Sequence, residues 1–526
     1  MTEFFNKYSV HQVLLQPVKL FGQTKTRDKI DVLNSLRHYA DLSDIEYVYP
    51  LIFDKNAELA SISARIISEI MGKVQGKQWN IVYDSIKYTK VNMETMDTLL
   101  NFTPEVSVHL LGVASLNSNG YIREKALRLF SGLPASRIVP YILLRLNDWV
   151  LPVRNLAVHI LRSTLTAANI EVFIDNSYLI NKLQNVLRVD LKSTRQEIVD
   201  YLKDDTLIGK LKGRLRHPHV KTRLFCYTML ADKITVDDDI INFALKDRSF
   251  EIRMWLVEAI KNLEQDRRDD VIEKLLQDKS AKVKTAVLRN FENIVCLKFK
   301  ERLSRFVVDD HASVRDEARF ISKKHLLIED LPEFYRQQIL INPVLGALIG
   351  LGETGSRSDY DIVCKFFTHD EPKVRLATMI AMWYLSKDNA VKLVLDSLDS
   401  DIPKIKKTAK QFLKGSKMPV VLFEMKNKLQ SDNVEIKLFA LEAICSFGGW
   451  QALEGVLFAI ANDKGMVLDK AKELLGRWLI RASSIYSKPD GATKERIINL
   501  FDVIRRKDIV PASILKELSF LIETRR

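Results

Sequence analysis

Several stretches of this chain hold residues that could do chemistry. Gly350-Leu351-Gly352-Glu353-Thr354-Gly355 matches GxGxxG, the spacing that lets a backbone loop approach a dinucleotide pyrophosphate. That chemistry needs a strand before the glycines. Here residues 344–349 precede them, an apolar segment with helical spacing. The glycines are therefore expected to end one helix and turn into the next. Phe447-Gly448-Gly449-Trp450 is read in the same way. His217-Pro218-His219 is the densest group among nine histidines. A metal site would need further ligands at matching spacing, and none follows, so a solvated loop is expected. Cys226, Cys296, Cys364 and Cys445 form no CxxC pair. They read as free thiols on helical apolar faces, which implies a reducing, cytoplasmic compartment and no disulfide framework.

Two basic runs could meet an anion. Residues 203–223 hold seven Lys/Arg against Asp204 and Asp205, and residues 404–417 hold six lysines and no acid. The candidate anion contacts are Lys210, Lys212, Arg214 and Arg216 in the first, and Lys407, Lys410 and Lys414 in the second. Rows of such cations, with Arg289, Arg319 and Lys323, could follow a phosphate backbone, so nucleic acid is a possible partner. Glu258, Glu292, Asp316 and Glu442 interrupt the row, and a solvated face of mixed charge is the first expectation.

The elements behind these residues repeat. Asp247 precedes Ile252-Arg253, Asp278 precedes Val283-Lys284, and Asp309 precedes Val314-Arg315, with the apolar anchors 31 residues apart. Each anchor begins a run with apolar residues at +3, +4, +7 and +8, one face of a helix. Ala126, Ala157, Ala286, Ala318, Ala377 and Ala440 occupy +3 or +4 and let neighbouring helices approach. Further copies begin at Ile122-Arg123, Val153-Arg154 and Val220-Lys221, at Val374-Arg375 after Asp370, and at Ile405-Lys406 and Ile436-Lys437. Leu468-Asp469 is an altered last copy, and the pattern weakens over 165–215 and around Val344. A second helix precedes each following Asp. One such pair cannot bury its own faces, so the pairs must stack. The acid before each anchor can cap the helix. The base after it can reach the acid of a neighbouring unit. Asp247, Arg253, Asp278, Lys284, Asp309, Arg315, Asp370 and Arg375 are thus expected to form a structural ladder.

Asp-x-x-x-Val-Arg-x-x-Ala resembles the HEAT-repeat family, in the short form called HEAT-like or phycobilin-lyase-type repeats. The likeness covers about residues 117–475. It implies an all-α fold: an α-solenoid, a right-handed superhelix of stacked helix pairs, with anchor helices lining a concave face. Three chemistries of related proteins were weighed. Iron in HEAT-repeat hydroxylases is held by His-Glu pairs, and no His-Glu dipeptide occurs here. HEAT-like DNA glycosylases use an aromatic-lined cleft with an acid. Asp148-Trp149 is the one offer, but Asp148 sits at a ladder position. Bilin attachment has no residue-level support.

Lys and Arg outnumber Asp and Glu by 80 to 67 in 526 residues, a formal charge of +13. That is a modest excess for a chain of this length. Glu3, His11, Gln12, Gln16 and Lys19 argue against a secretory signal. The apolar run 341–352 is broken by Asn342 and Pro343 and is too short to span a bilayer. Three regions are expected: degenerate N-terminal repeats over 1–116, the array over 117–482, and a C-terminal helical cap over 483–526. The function expected is a non-enzymatic scaffold or adaptor without catalytic residues, cofactor or metal. It would bind protein partners through exposed apolar residues of the anchor helices, namely Met254, Val257, Leu288, Phe320, Met379 and Trp383.

Overall fold

The structure, a computed structural model, describes residues 10–15, 26–186 and 189–524. The reading of the N-terminal stretch against a signal rests largely on residues outside these. Among the described residues every regular element is an α-helix or a 3-10 turn, and there is no strand. The chain divides into two compact units, Met1–Asn290 and Phe291–Arg526.

In the first unit, helix Gly120–Leu129 packs on Leu151–Thr164, and Val220–Met229 packs on Phe250–Ala259, which packs on Ala281–Asn290. In the second, Ala312–Lys324, Leu345–Thr354, Pro372–Leu385, Pro403–Gly415, Val434–Phe447 and Gly465–Ala482 pack in that order. Between them run the second helices of the pairs, such as Leu331–Ile341 and Gly449–Asn462. Helices Gly491–Lys507 and Ala512–Thr524 follow the last pair. Each unit is thus an all-α solenoid.

Local chemistry starts these helices. Asn119, Ser249 and Asn433 accept hydrogen bonds from the backbone N–H of Tyr121, Glu251 and Glu435. Pro152, Pro372 and Pro403 stand in the first turn, where a missing N–H costs nothing. The seam between anchor helices is small: Ala126, Ala157, Ala318, Ala377, Ala409, Ala440 and Ala471 are all fully buried. The weak stretch 165–215 is a series of short helices, among them Ile170–Asp175, Ser177–Lys182 and Lys192–Leu202.

Counting from the anchors Ile122, Val153, Ile252, Val283, Val314, Val374, Ile405 and Ile436, positions +2 and +6 stay exposed or half-exposed. Position +5 is mostly buried, at Leu127, Val257, Leu288, Met379 and Leu441. An anchor helix meets its pair partner and an anchor helix on either flank, so its apolar arc is wider than a simple amphipathic stripe.

Candidate functional site

The ladder accounts for the best-conformed charges. Arg123 donates through Nε and Nη2 to both oxygens of Asp148, each at 2.8 Å, and both side chains are essentially buried. Its Nη1 donates to the carbonyls of Asn117 and Ser118. Arg253 makes the same bidentate contact with Asp278 at 2.5 and 3.1 Å, and its Nη1 donates to the Asp247 carbonyl. Each rung acid also caps its own loop: Asp148, Asp247, Asp278 and Asp309 accept from the N–H two residues on. One carboxylate therefore ties its loop and the preceding repeat together.

Five rungs differ from the pattern read in the sequence. The copy assigned to Val220-Lys221 is carried by Thr222-Arg223: Arg223 bonds Asp247 in a bidentate pair at 2.8 Å, while Lys221 is exposed and faces Glu251. His217 fills the rung there, its Nδ1 accepting from His219 N–H as an Asp would. His369, not Asp370, fills the rung before Arg375, and its Nδ1 accepts from Glu371 N–H. Ser400 and Ser431 cap Ile402 and Asn433 in the same manner. Arg315 donates to the Asp309 and Asp310 carbonyls but pairs with no Asp carboxylate among the described residues. Its partner is Glu353, from the end of helix Leu345–Thr354, which also takes Arg319. Counting six residues back from each Arg or Lys of the ladder (Arg223, Arg375, Lys406, Lys437) would have revealed the His and Ser rungs.

Glu353 belongs to the GxGxxG stretch, and the glycines there are not a turn. Gly346, Gly350 and Gly352 lie inside helix Leu345–Thr354, and only Gly355 ends it. A Cβ on Gly346 would stand 1.9 Å from the Val308 carbonyl oxygen, and one on Gly350 2.2 Å from the Tyr335 ring. One on Gly352 would meet Ala381 at 2.6 Å. These glycines allow close packing on several sides. Gly448 and Gly449, by contrast, do form a turn, with φ of 75° and 54°.

Asp148 is 2% exposed and also bound by Arg145, so it is no acid in an open cleft. Trp149 is 65% exposed, its ring 5.5 Å from the Arg123 guanidinium. His217 lies 3.7 Å from Asp175. No group of three or more potential metal ligands occurs among the described residues.

The first basic run is largely committed, and the second in part. Lys212 pairs with Asp237 and Asp239, and Arg214 with Glu171 and Asp175. Lys410 pairs with Glu435 and Lys414 with Glu442. Lys210 donates to the Ala167 carbonyl, and Arg216 lies over the Phe243 ring. Lys407 is exposed with no ion pair among the described residues.

The apolar candidates separate sharply. Val257, Leu288, Met379 and Trp383 are buried, at 5% exposure or less. They cannot be surface contacts. The first three occupy +5, against the flanking anchor helix, and Trp383 is covered by Phe412 in a parallel stack at 5.1 Å. Met254 is half-buried. Phe320, at +6, is 59% exposed.

Cavities open in each unit. In the first, about 700 Å³ is lined by Lys77, Trp79, His109, Arg137, Asp175 and His217 among others. Burial pushes the His109 imidazole down to about 4, and its Nδ1 lies 3.0 Å from the Tyr141 hydroxyl. In the second, about 500 Å³ is lined by Glu442, Cys445, Leu474, Arg477 and Trp478 among others. Burial pushes the Cys445 thiol up to about 12, so it is protonated at neutral pH and is no nucleophile. No helix among the described residues is long and apolar enough to cross a membrane.

No family model matches the chain, and no curated protein matches it. Solved structures do. A Kap121p mutant aligns over 99% of this chain and 53% of its own, at 15% identity and a TM-score of 0.27. Kap95p, whose binding induces the switch loops of RanGDP to adopt the GTP-bound conformation, aligns over 98% of this chain and 66% of its own. Its identity is 10% and its TM-score 0.29. Importin beta aligns over 91% and 67%, at 11% identity and a TM-score of 0.28. The chain spans about half the length of the first of these.

Proposed function

We propose that this chain is a non-enzymatic HEAT-like scaffold that binds protein partners on the exposed stripe of its anchor helices. The observation behind this is Phe320, an aromatic side chain 59% exposed at +6 of a helix that buries Val314, Ala318 and Ile321. Covering the rest of a Phe side chain removes roughly 100 Å² from water, worth about 2–3 kcal/mol, the size of an interface hot spot. Free Cys226, Cys296, Cys364 and Cys445 support a reducing compartment, and the cytoplasm is the proposed location. The first basic run favours no nucleic-acid reading, since carboxylates already face Lys203, Lys212, Arg214, Lys221 and Arg223, and in the second run carboxylates face Lys410 and Lys414.

The test is capture of partners on the tagged full chain and on Phe320→Asp, with and without nuclease. The variant should keep the wild-type melting temperature and lose the captured protein, and nuclease should change nothing. Retention of every partner by Phe320→Asp, or loss on nuclease treatment, would refute the reading.

A further inference from the structure

Two cavities in the second unit open along the C-terminal halves of consecutive anchor helices, Pro372–Leu385, Pro403–Gly415, Val434–Phe447 and Gly465–Ala482. Their volumes are about 500 and 650 Å³. They flank the segment 414–417: Lys414 lines one, and Gly415, Ser416 and Lys417 line the other. The floor is apolar, with Trp383 stacked on Phe412 at one end and Leu474, Trp478 and Ile485 at the other. The walls are basic. Lys387, Lys414, Lys417, Lys470, Arg477 and Arg481 line the two cavities against a single carboxylate, Glu442.

The pairing within this set leaves a surplus. Glu442 takes Lys414 at 2.8 Å and Lys470 at 3.7 Å, and Glu473 takes Lys470 and Arg477. Lys387, Lys417 and Arg481 are exposed and form no ion pair among the described residues. Lys417 rests over the Phe447 ring at 5.3 Å, which holds its charge at the rim. Gly448 and Gly449 leave a notch in the wall, since a Cβ on either would meet nothing within 4 Å.

We propose that this groove binds an extended segment of a partner protein that carries carboxylates beside apolar side chains. The proposal rests on the scaffold reading and names its partner chemistry. Four helices at roughly 8–10 Å spacing span about 25–30 Å, which about eight extended residues cover at ~3.3 Å each. Three unpaired cations over that length match two or three carboxylates, and the apolar floor takes the side chains between them. A nucleic acid would match the charge but not the floor. The Trp383 and Phe412 rings face each other, and Trp383 and Trp478 are only 5% and 7% exposed, so neither indole offers a free face for base stacking.

The experiment is selection of random peptides displayed on phage against the immobilised full chain, followed by fluorescence anisotropy of the enriched peptides. Each is measured on wild type and on the exposed-charge variant Lys387→Glu/Lys417→Glu/Arg481→Glu, with a single-stranded oligonucleotide alongside. The expected result is a set of peptides rich in Asp/Glu and Leu/Phe whose affinity falls at least tenfold in the variant and weakens with salt. Enriched peptides that are neutral or basic, or that bind the variant equally, overturn the groove and leave the scaffold reading standing. No enrichment overturns both. Oligonucleotide binding lost in the variant, without peptide binding, replaces the protein segment by nucleic acid and overturns the proposal.

Discussion

Asp148→Asn should be the most damaging single change of one atom type in the first unit. Asp148 accepts from Arg123 twice at 2.8 Å, from Arg145 at 2.8 Å and from Val150 N–H at 2.9 Å. Burial pulls the Arg145 guanidinium down to about 10, a sign of how dry this site is. One carboxylate already serves two buried cations, so neutralising it leaves both uncompensated. Breaking a buried pair from one side costs about 3–5 kcal/mol. The Asn117 and Ser118 carbonyls still hold Arg123 and keep the loss from running higher.

For a unit of this size that is about 10 °C in melting temperature. Urea unfolding followed by circular dichroism measures the total. Hydrogen exchange of helices Gly120–Leu129 and Leu151–Thr164 locates it, since stacked repeats lose stability locally. Glu197→Gln is the control: its pair with Arg162 is exposed on both sides and should cost under ~1 kcal/mol. Adding Arg145→Met to Asp148→Asn should restore roughly 1 kcal/mol or more by removing the surplus cation. If Asp148→Asn unfolds no more easily than Glu197→Gln, the ladder is not what holds these repeats.

Arg223→Ala should cost about 3–5 kcal/mol by stranding Asp247, whereas Lys221→Ala, at an exposed pair, should stay within ~1 kcal/mol; urea midpoints of the two variants decide which residue is the rung. Gly346→Ala drives a methyl into a backbone carbonyl and should cost about 3 kcal/mol or more, read as lost melting temperature. His109 has a folded pKa below its unfolded value, so the unfolded state binds more protons between about pH 6.5 and 4. Stability is complete above that window and falls as pH drops through it, by about 2 kcal/mol between pH 6.5 and 5; His109→Gln should remove that part of the loss, and equal pH slopes would exclude His109 as its source.

The repeat was legible because its demands are local and recur. An anchor, a base after it and an alanine one turn on recur in most copies, and the 31-residue interval displays them. The register at Thr222 was hidden because Val220-Lys221 imitates the motif two residues early, while the true anchor is polar. The rungs at His217, His369, Ser400 and Ser431 were hidden because capping needs only an acceptor, which His and Ser supply as well as Asp. The glycines of 350–355 were misplaced for a related reason: glycine signals a helix end or a close contact, and only the position of Tyr335 and Ala381 tells which. The surface residues were the least legible. Whether +5 or +6 meets solvent depends on how the flanking helices seat, and a shift of one position exchanges Val257, Leu288 and Met379 for Glu258, Arg289 and Ile380.

The neutral rungs interrupt the ladder on the helices that carry the groove. Through most of the array a carboxylate at the rung takes up the charge of the preceding Arg. From His369 to Ser431 the rungs carry no acid, and Arg375 donates only to the His369 and Asp370 carbonyls. The ladder resumes at Lys437, which meets Asp463 at 2.5 Å. Stacking across this gap is held instead by the buried alanines at 377, 409 and 440 and by the Trp383–Phe412 stack. Hydrogen-bonded caps survive the exchange of Asp for His or Ser, so the fold loses little. Acids remain in the sequence at Asp370, Asp401 and Asp432, one residue beyond these rungs, but Arg375 and Lys406 form no ion pair with them among the described residues. Ser400→Asp would set a carboxylate before Arg375 where Asp148 stands before Arg123, and should raise the stability read from the urea midpoint by roughly 1 kcal/mol. Lys414 lies about 20 Å further along helix Pro403–Gly415, and Lys417 just past its end. Both are beyond the ~8 Å screening length at physiological salt, so binding of an acidic peptide to the groove should stay unchanged. A stability gain of zero would refute the rung at 400, and a loss of peptide binding would refute the separation of ladder and groove.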